Sequence, residues 1–330
     1  MSDNFEAIVI TKTDDGQTVA RETLPVSDLT DGDVLVKVEW STVNYKDGLA
    51  VSGAAPIARK SPMIAGIDLA GEVVESADDR FKPGDKVLAN GYGMSETRWG
   101  GYATMARVPA EPVIKLPEGI SARQAMAVGT AGYTAMLCVL ALEDHGVTPQ
   151  SGPILVTGAA GGVGSVAIAL LAKLGYTIIA STGRVEEADY LKSLGASEII
   201  DRSELSGDGR PLGKERWAGV VDSVGSKTLA NAIASTNYGG TVAACGLAQG
   251  GDLPSSVMPF ILRGVTLAGV DSVMAPREKR ERAWARLATD LEMNKLDAMI
   301  NEVSFDDVLE AAPTILQGTV RGRLVVNIGG

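Results

Sequence analysis

The segment ILVTGAAGGVGSVAIALLAKLGY, residues 154–176, sets Gly158, Gly161, Gly162 and Gly164 between a short apolar run and a stretch with helical spacing. Glycines in such a turn let the backbone come close to a pyrophosphate, and free N–H groups at the start of the following helix hold its charge. Ala160 and Val163, interleaved with the glycines, share that contact. The spacing is GxxGxxG, not the commoner GxGxxG, so context supports part of the reading. An apolar strand precedes the turn, a helix follows it, and a second strand, TIIAST, comes next. The bland alternative is a tight structural turn that binds nothing.

The end of that second strand bears on which dinucleotide is bound. An Asp or Glu about 20 residues beyond the glycines would hold the ribose hydroxyls. Here the strand ends Ser181-Thr182-Gly183-Arg184. Two hydroxyls and a guanidinium suit a 2′-phosphate, which a carboxylate would repel. Arg202, in EIIDRSE after the next short strand, could close over the same phosphate or stack on adenine. The expected cofactor is NADPH, with a solvated Arg184 opening a helix as the alternative.

A second polar group is Asn44-Tyr45-Lys46-Asp47. Asn44 could orient a nicotinamide or a substrate through its amide, and Lys46 is a further cofactor candidate. Tyr45 could donate a proton or a hydrogen bond, and Asp47 could position either partner or a water. The competing reading is that this run only caps a helix beginning near Asp47. Arg323, in RGRLVV near the chain end, could bind cofactor or a substrate phosphate, or stand on a surface strand. No metal is expected. Cys138 and Cys245 lie far apart with no CxxC, and His145, the single histidine, reads as a helix-end residue in EDHGVT. Cys245 reads as a small spacer and Cys138 as core.

These residues need a scaffold, and the chain's texture supplies two. The first third is short apolar strands, AIVIT, DVLVKVEW and AGEVVES, punctuated by DDG, DG and PGD turns. It ends near PVIKLPEGIS, where Ser121 could cap the next helix. Strands then alternate with helices, which implies an α/β fold with a doubly wound parallel sheet. The ending RGRLVVNI reads as a strand returning to the first, β-rich domain. The expected division is 1–122 with 297–330 for that domain, and 123–296 for the nucleotide-binding one. With 330 residues, 45% apolar and 22% charged, two globular domains are affordable. The net charge of −11 and scattered basic residues argue against nucleic acid. No apolar run is read as approaching the roughly 20 residues needed to span a bilayer, and the acidic start lacks a secretory pattern, so a cytoplasmic location is expected.

Four segments, FKPGDKV (81–87), GGYATMARV (100–108), GTAGYTAM (129–136) and VTGAAGGVG (156–164), give the chain a wider resemblance. In order and spacing it resembles the medium-chain dehydrogenase/reductase superfamily, in its quinone-oxidoreductase-like branch, over nearly its whole length. Within that branch STVNYKDGLA (41–50), PMIAGIDLAGEV (62–73), residues 123–147 and residues 244–274 are similar to the acrylyl-CoA reductase subfamily. The resemblance implies a GroES-like catalytic domain around a Rossmann domain, with the active site in the cleft between them. It implies further cofactor contacts at Thr130, Ser223, Gly246, Leu247, Asp271 and Ser272, and a homodimer joined through LRGVTLAGVDSVM (262–274).

Zinc alcohol dehydrogenases of this superfamily place His in a GHE motif, whereas this chain reads Gly66-Ile67-Asp68 there. Isoleucine cannot bind metal, so the substrate must already accept hydride. The resemblance implies acryloyl-CoA reduced to propionyl-CoA: hydride to Cβ, an enolate held by hydrogen-bond donors, then a proton to Cα. A quinone reductase and a non-catalytic NADPH sensor are the alternatives. Related enoyl reductases place an acidic Tyr further along than Tyr45, where this chain reads SGAAPIARK. The proton donor therefore stays open, with solvent among the candidates.

Overall fold

The computed structural model describes residues 3–329. In chain order its first elements are β1 (Asn4–Thr13), β2 (Gly16–Pro25), β3 (Val34–Val43), α1 (Tyr45–Ser52), β4 (Met63–Ile64), β5 (Asp68–Ser76), β6 (Lys86–Asn90), β7 (Met105–Val108) and β8 (Val113–Lys115). The long helix α2 (Ala122–Asp144) follows, then β9 (Ile154–Val156), α3 (Gly162–Lys173), β10 (Ile178–Thr182), α4 (Ala188–Leu194), β11 (Glu198–Asp201) and α5 (Ser203–Ser206). Next come β12 (Trp217–Asp222), α6 (Ser226–Ala234), β13 (Thr236–Ala244), α7 (Met258–Arg263) and β14 (Thr266–Gly269). The chain closes with α8 (Arg277–Asp290), α9 (Met293–Asp297), β15 (Ile300–Ser304), α10 (Val308–Thr314) and β16 (Arg323–Asn327).

These elements group into two compact units. One comprises the residues up to Thr130, Ser272–Ala288 and Leu296 onward; the other comprises Ala131–Asp271 and Thr289–Lys295. The stretch 272–288, assigned to the nucleotide domain from sequence, groups with the first unit.

The first unit is built mainly on antiparallel pairing, with β15 parallel to β16. A three-stranded sheet runs β2-β1-β4, and a seven-stranded sheet runs β15-β16-β3-β5-β6-β8 with β7 also on β3. β16 pairs with β3 from Leu324 opposite Val43 to Asn327 opposite Trp40, so the chain end does return to this domain. Its core is filled by β-branched and small residues such as Val34, Val36, Val38, Val87 and Val326, as half-buried pleated strands require. Helix α1 packs on α10 closely enough that a Cβ on Gly48 would sit 2.6 Å from Ile315 and 2.9 Å from the Ala312 carbonyl.

The second unit is a parallel six-stranded sheet ordered β11-β10-β9-β12-β13-β14. Counted from β9 this is the 3-2-1-4-5-6 order of a dinucleotide-binding sheet. The order reverses between β9 and β12, and in such sheets ligands bind beyond the strands' carboxyl ends at that point. Leu155, Val220 and Val242 fill its core from successive strands, with Trp217 donating its indole N–H to the Ala232 carbonyl at 2.9 Å.

Helix α2 begins as the sequence suggests. Gln124 N–H donates to Ser121 Oγ at 3.2 Å and Ser121 N–H to Gln124 Oε1 at 3.1 Å, a reciprocal capping box. At 23 residues, with an 18-residue window of mean hydropathy 1.8, α2 has the length and apolarity of a membrane span, contrary to the expectation that no apolar run is long enough. Yet 89% of its apolar window is buried in the protein, which identifies a core helix.

Candidate active site

In the second unit the strand ends gather most of the nucleotide candidates. Ala160–Gly164 follow β9, Ser181–Arg184 close β10, Arg202 follows β11, Ser223 follows β12, and Gly246 and Leu247 follow β13. Helix α3 starts after Gly161 with no side chain capping it. Its first-turn N–H groups are therefore the donors that an anion would take. A Cβ on Gly164 would lie 2.4 Å from the Gly158 carbonyl oxygen and 2.6 Å from Ala159 Cα, so only glycine permits this turn. Asp222, buried at the end of β12, accepts the Thr157 hydroxyl at 2.7 Å and Gly225 N–H at 2.8 Å. Burial pushes its carboxyl up.

The end of β10 is set against this turn. Arg184 Nη2 donates to the Ala160 carbonyl at 3.0 Å, and Arg184 N–H to Thr182 Oγ1 at 3.0 Å. The Arg202 side chain lies over Gly183, its Nε 2.5 Å from where a Cβ would stand. Two guanidiniums and two hydroxyls thus border the place where a carboxylate would serve NADH. Leu247 is 68% exposed, and Asp271 is exposed beyond the end of β14.

In the first unit a buried polar cluster has formed around a carboxylate that the sequence reading passed over. Asp68 opens β5 with no exposure and accepts four hydrogen bonds. Its Oδ1 takes the Thr130 hydroxyl at 2.5 Å and Asn90 Nδ2 at 2.8 Å. Its Oδ2 takes Thr130 N–H at 2.7 Å and Asn44 Nδ2 at 2.8 Å. Asp47 accepts Ile67 N–H at 2.9 Å on Oδ1, and Asn44 N–H at 2.8 Å on Oδ2. Burial, and after it the charge of Asp68, pushes Asp47 up to about 7. Tyr102 donates its hydroxyl to the Thr42 carbonyl at 3.2 Å, and burial holds its phenol well above the usual range.

Arg323 is buried, not on the surface. Nε donates to the Ala127 carbonyl at 2.9 Å, and Nη2 to Thr42 Oγ1 at 2.9 Å and Asn44 Oδ1 at 3.1 Å. The network fixes the Asn44 amide, its oxygen toward the guanidinium and its nitrogen toward both carboxylates. Burial pulls Arg323 below the usual guanidinium range. Gly129 makes this possible. It interrupts α2 at φ 50°, ψ −164°, and turns Thr130 N–H onto Asp68. A Cβ there would meet Thr42, Arg323 and Asp68 within 3.0 Å.

Not every candidate joins the cluster. Tyr45 is 51% exposed at the start of α1. Lys46 pairs with Glu96 at 2.6 Å, tying α1 to the 91–100 loop. Ser272 is half-buried in the first unit beside Val273, whose carbonyl accepts Tyr92 N–H at 3.0 Å. Tyr92 (φ 55°) and Ser95 (φ 64°) hold left-handed backbone in that loop. The conformation costs a non-glycine residue about 1–2 kcal/mol.

A Rossmann sheet in this strand order and a separate β-rich unit with a buried carboxylate–amide–guanidinium cluster define a two-domain nucleotide-dependent oxidoreductase. The sequence comparisons agree. Residues 30–118 match the alcohol dehydrogenase GroES-like domain, and 162–289 the zinc-binding dehydrogenase domain. The chain is 54% identical to the acrylyl-CoA reductase of Ruegeria pomeroyi over 98% of its own length and 99% of that protein's. The yhdH oxidoreductase of Salmonella enterica, solved in complex with NADP, superposes with a TM-score of 0.95 at 50% identity, over 98% of this chain and 99% of that one. Bacillus subtilis yhfP, solved with NAD bound, gives 0.94 at 45%, over 99% and 100%. The chain belongs to the quinone-oxidoreductase-like branch of the medium-chain dehydrogenase/reductase family.

The zinc in the matched domain's description finds no ligand set here. Ile67 is apolar, and its neighbour Asp68 already accepts four protein hydrogen bonds. Among the described residues no three His, Cys, Asp or Glu side chains converge. A pyridine dinucleotide does fit, on the uncapped α3 N-terminus and its glycine cradle.

Proposed function

We propose that this chain reduces the C=C bond of acryloyl-CoA to propionyl-CoA, using NADPH and no metal. The observation that supports it most is the 54% identity to an acrylyl-CoA reductase over nearly the whole of both chains, joined to a β10 end that offers hydroxyls and guanidiniums in place of a carboxylate. Ala160–Gly164 and the first turn of α3 would hold the pyrophosphate, and Ser181, Thr182, Gly183, Arg184 and Arg202 the 2′-phosphate. Ser223, Gly246, Leu247, Asp271, Ser272 and Thr130 are proposed as further contacts. Bound NADPH supplies the hydride.

The remaining chemistry falls to the first unit. Asn44 is the polar group that orients the ligand, and Tyr45 and Lys46 line its approach. Arg323 and Asp47 are too deeply buried to take a phosphate or a substrate directly. Their role in this proposal is to position Asn44, which hydrogen-bonds both. A thioester carbonyl beside the double bond makes Cβ electrophilic without a Lewis acid, so the protein needs to orient the alkene and stabilise the enolate oxygen.

The same proposal sets the enzyme in the cytoplasm, where CoA thioesters and NADPH occur together, and makes it a homodimer. Among the described residues β14 is an edge strand hydrogen-bonded to β13 alone, and Val257, Ile261 and Leu262 before it are each more than half exposed. An open edge beside apolar residues suits pairing with a second copy. The activity is tested by comparing NADPH-dependent turnover of acryloyl-CoA with that of a CoA-free acrylate ester. The proposal predicts a large preference for the CoA thioester; equal rates would reject the acyl-CoA assignment.

A further inference from the structure

Resting on the reduction just proposed, we infer that Tyr92 is the proton donor to Cα. Gly91, Tyr92 and Gly93 hold φ of 62°, 55° and 85°, three consecutive left-handed residues directly after β6. Glycine takes such backbone freely, whereas a bulky aromatic between two glycines is held there only by its surroundings. The surroundings are specific. Tyr92 N–H donates to the Val273 carbonyl at 3.0 Å. The ring lies 5.8 Å from the Arg280 guanidinium carbon and 5.9 Å from that of Arg98. Arg280 is itself buried and donates to the Asn90 carbonyl at 2.8 Å.

This placement joins Tyr92 to the polar cluster. Two residues upstream, Asn90 donates to Asp68, and four residues downstream, Glu96 takes Lys46 of α1. Among the described residues the Tyr92 hydroxyl has no hydrogen-bond partner, and the residue is only half-buried. The other two tyrosines of the region suit the task less. Tyr102 is buried with its hydroxyl committed to the Thr42 carbonyl, and Tyr45 stands half-exposed outside the network.

The step balances without a further reactant. After a reduced nicotinamide has given hydride to Cβ, the enolate's electron pair takes the Tyr92 phenolic proton, forming the Cα–H bond and breaking O–H. The phenolate then recovers a proton from water at its exposed edge.

Reduction of acryloyl-CoA in D2O tests this, because the deuteron delivered to Cα makes that carbon chiral. The unaltered enzyme should give one epimer. Tyr92→Phe keeps the ring over both guanidiniums, and should lower kcat by about 100-fold with KM and NADPH affinity little changed. Its residual product should be a mixture of epimers. A mixture from the unaltered enzyme, or a single epimer at full rate from Tyr92→Phe, would overturn the inference. Epimer scrambling in Tyr45→Phe but not in Tyr92→Phe would do the same. No turnover of acryloyl-CoA by the unaltered enzyme would instead reject the reaction itself.

Discussion

In the proposed function, Arg184 is the single side chain on which cofactor choice turns. It stands where an NAD-dependent relative would place a carboxylate, and its guanidinium is anchored to the Ala160 carbonyl of the glycine turn. A charge-assisted contact to a 2′-phosphate is worth about 1.5–3 kcal/mol, which is about 10- to 100-fold in preference. Arg184→Ala should reduce the NADPH/NADH ratio of kcat/KM by that factor, and an unchanged ratio would remove Arg184 from the phosphate site. Asp47 sets a pH dependence. Its carboxyl titrates near 7 in the folded protein, above the usual 3.8, so the native state holds the extra proton between these values. Unfolding then releases that proton, and stability falls as pH rises through the window. The contribution is complete below about 4 and lost above about 7. Urea midpoints should decline between about pH 4 and about pH 7, and the decline should be shallower in Asp47→Ala. Equal slopes would show that Asp47 does not titrate there.

At the scale of elements, the kink at Gly129 does more than break a helix. Without it, Thr130 N–H would bond within α2 and Asp68 would lose two of its four donors. Gly129→Ala adds left-handed strain and a Cβ within 3.0 Å of Asp68, Arg323 and Thr42. It should cost about 2 kcal/mol or more, read as a lower melting temperature; an unchanged one would mean that the cluster can relax around a methyl group. The nucleotide half was legible in sequence because a strand, its glycine turn and the following helix are contiguous. The polar cluster was legible only in part. Asn44 and Asp47 stand out as neighbours, but Asp68 enters only as the last residue of Gly66-Ile67-Asp68, and Asn90 attracts no reading. Their partnership comes from β5 pairing with β6, where Asp68 faces Asn90, and long-range register leaves no local spacing to read. An ionisable residue within an apolar run was the available signal.

For the whole molecule, the fold class was legible from the change of texture alone, short strands with tight turns and then alternating strands and helices. The affiliation of 272–288 was not, because α8 is polar in sequence and only Arg280, Ala283, Trp284 and Leu287 are buried on it. The proposed dimer rests on the β14 edge of the six-stranded sheet. Leu262→Glu would set a charge beside β14, and light scattering should show a dimer for the unaltered chain and a monomer for the variant. A monomeric unaltered chain would refute the edge-to-edge proposal. The proposed reaction is checked by NADPH consumption with acryloyl-CoA, crotonyl-CoA and a simple quinone measured in parallel. Fast turnover confined largely to acryloyl-CoA is the predicted result. Turnover of the quinone with no response to either CoA thioester would contradict it, leaving the fold and the nucleotide site in place but the substrate wrong.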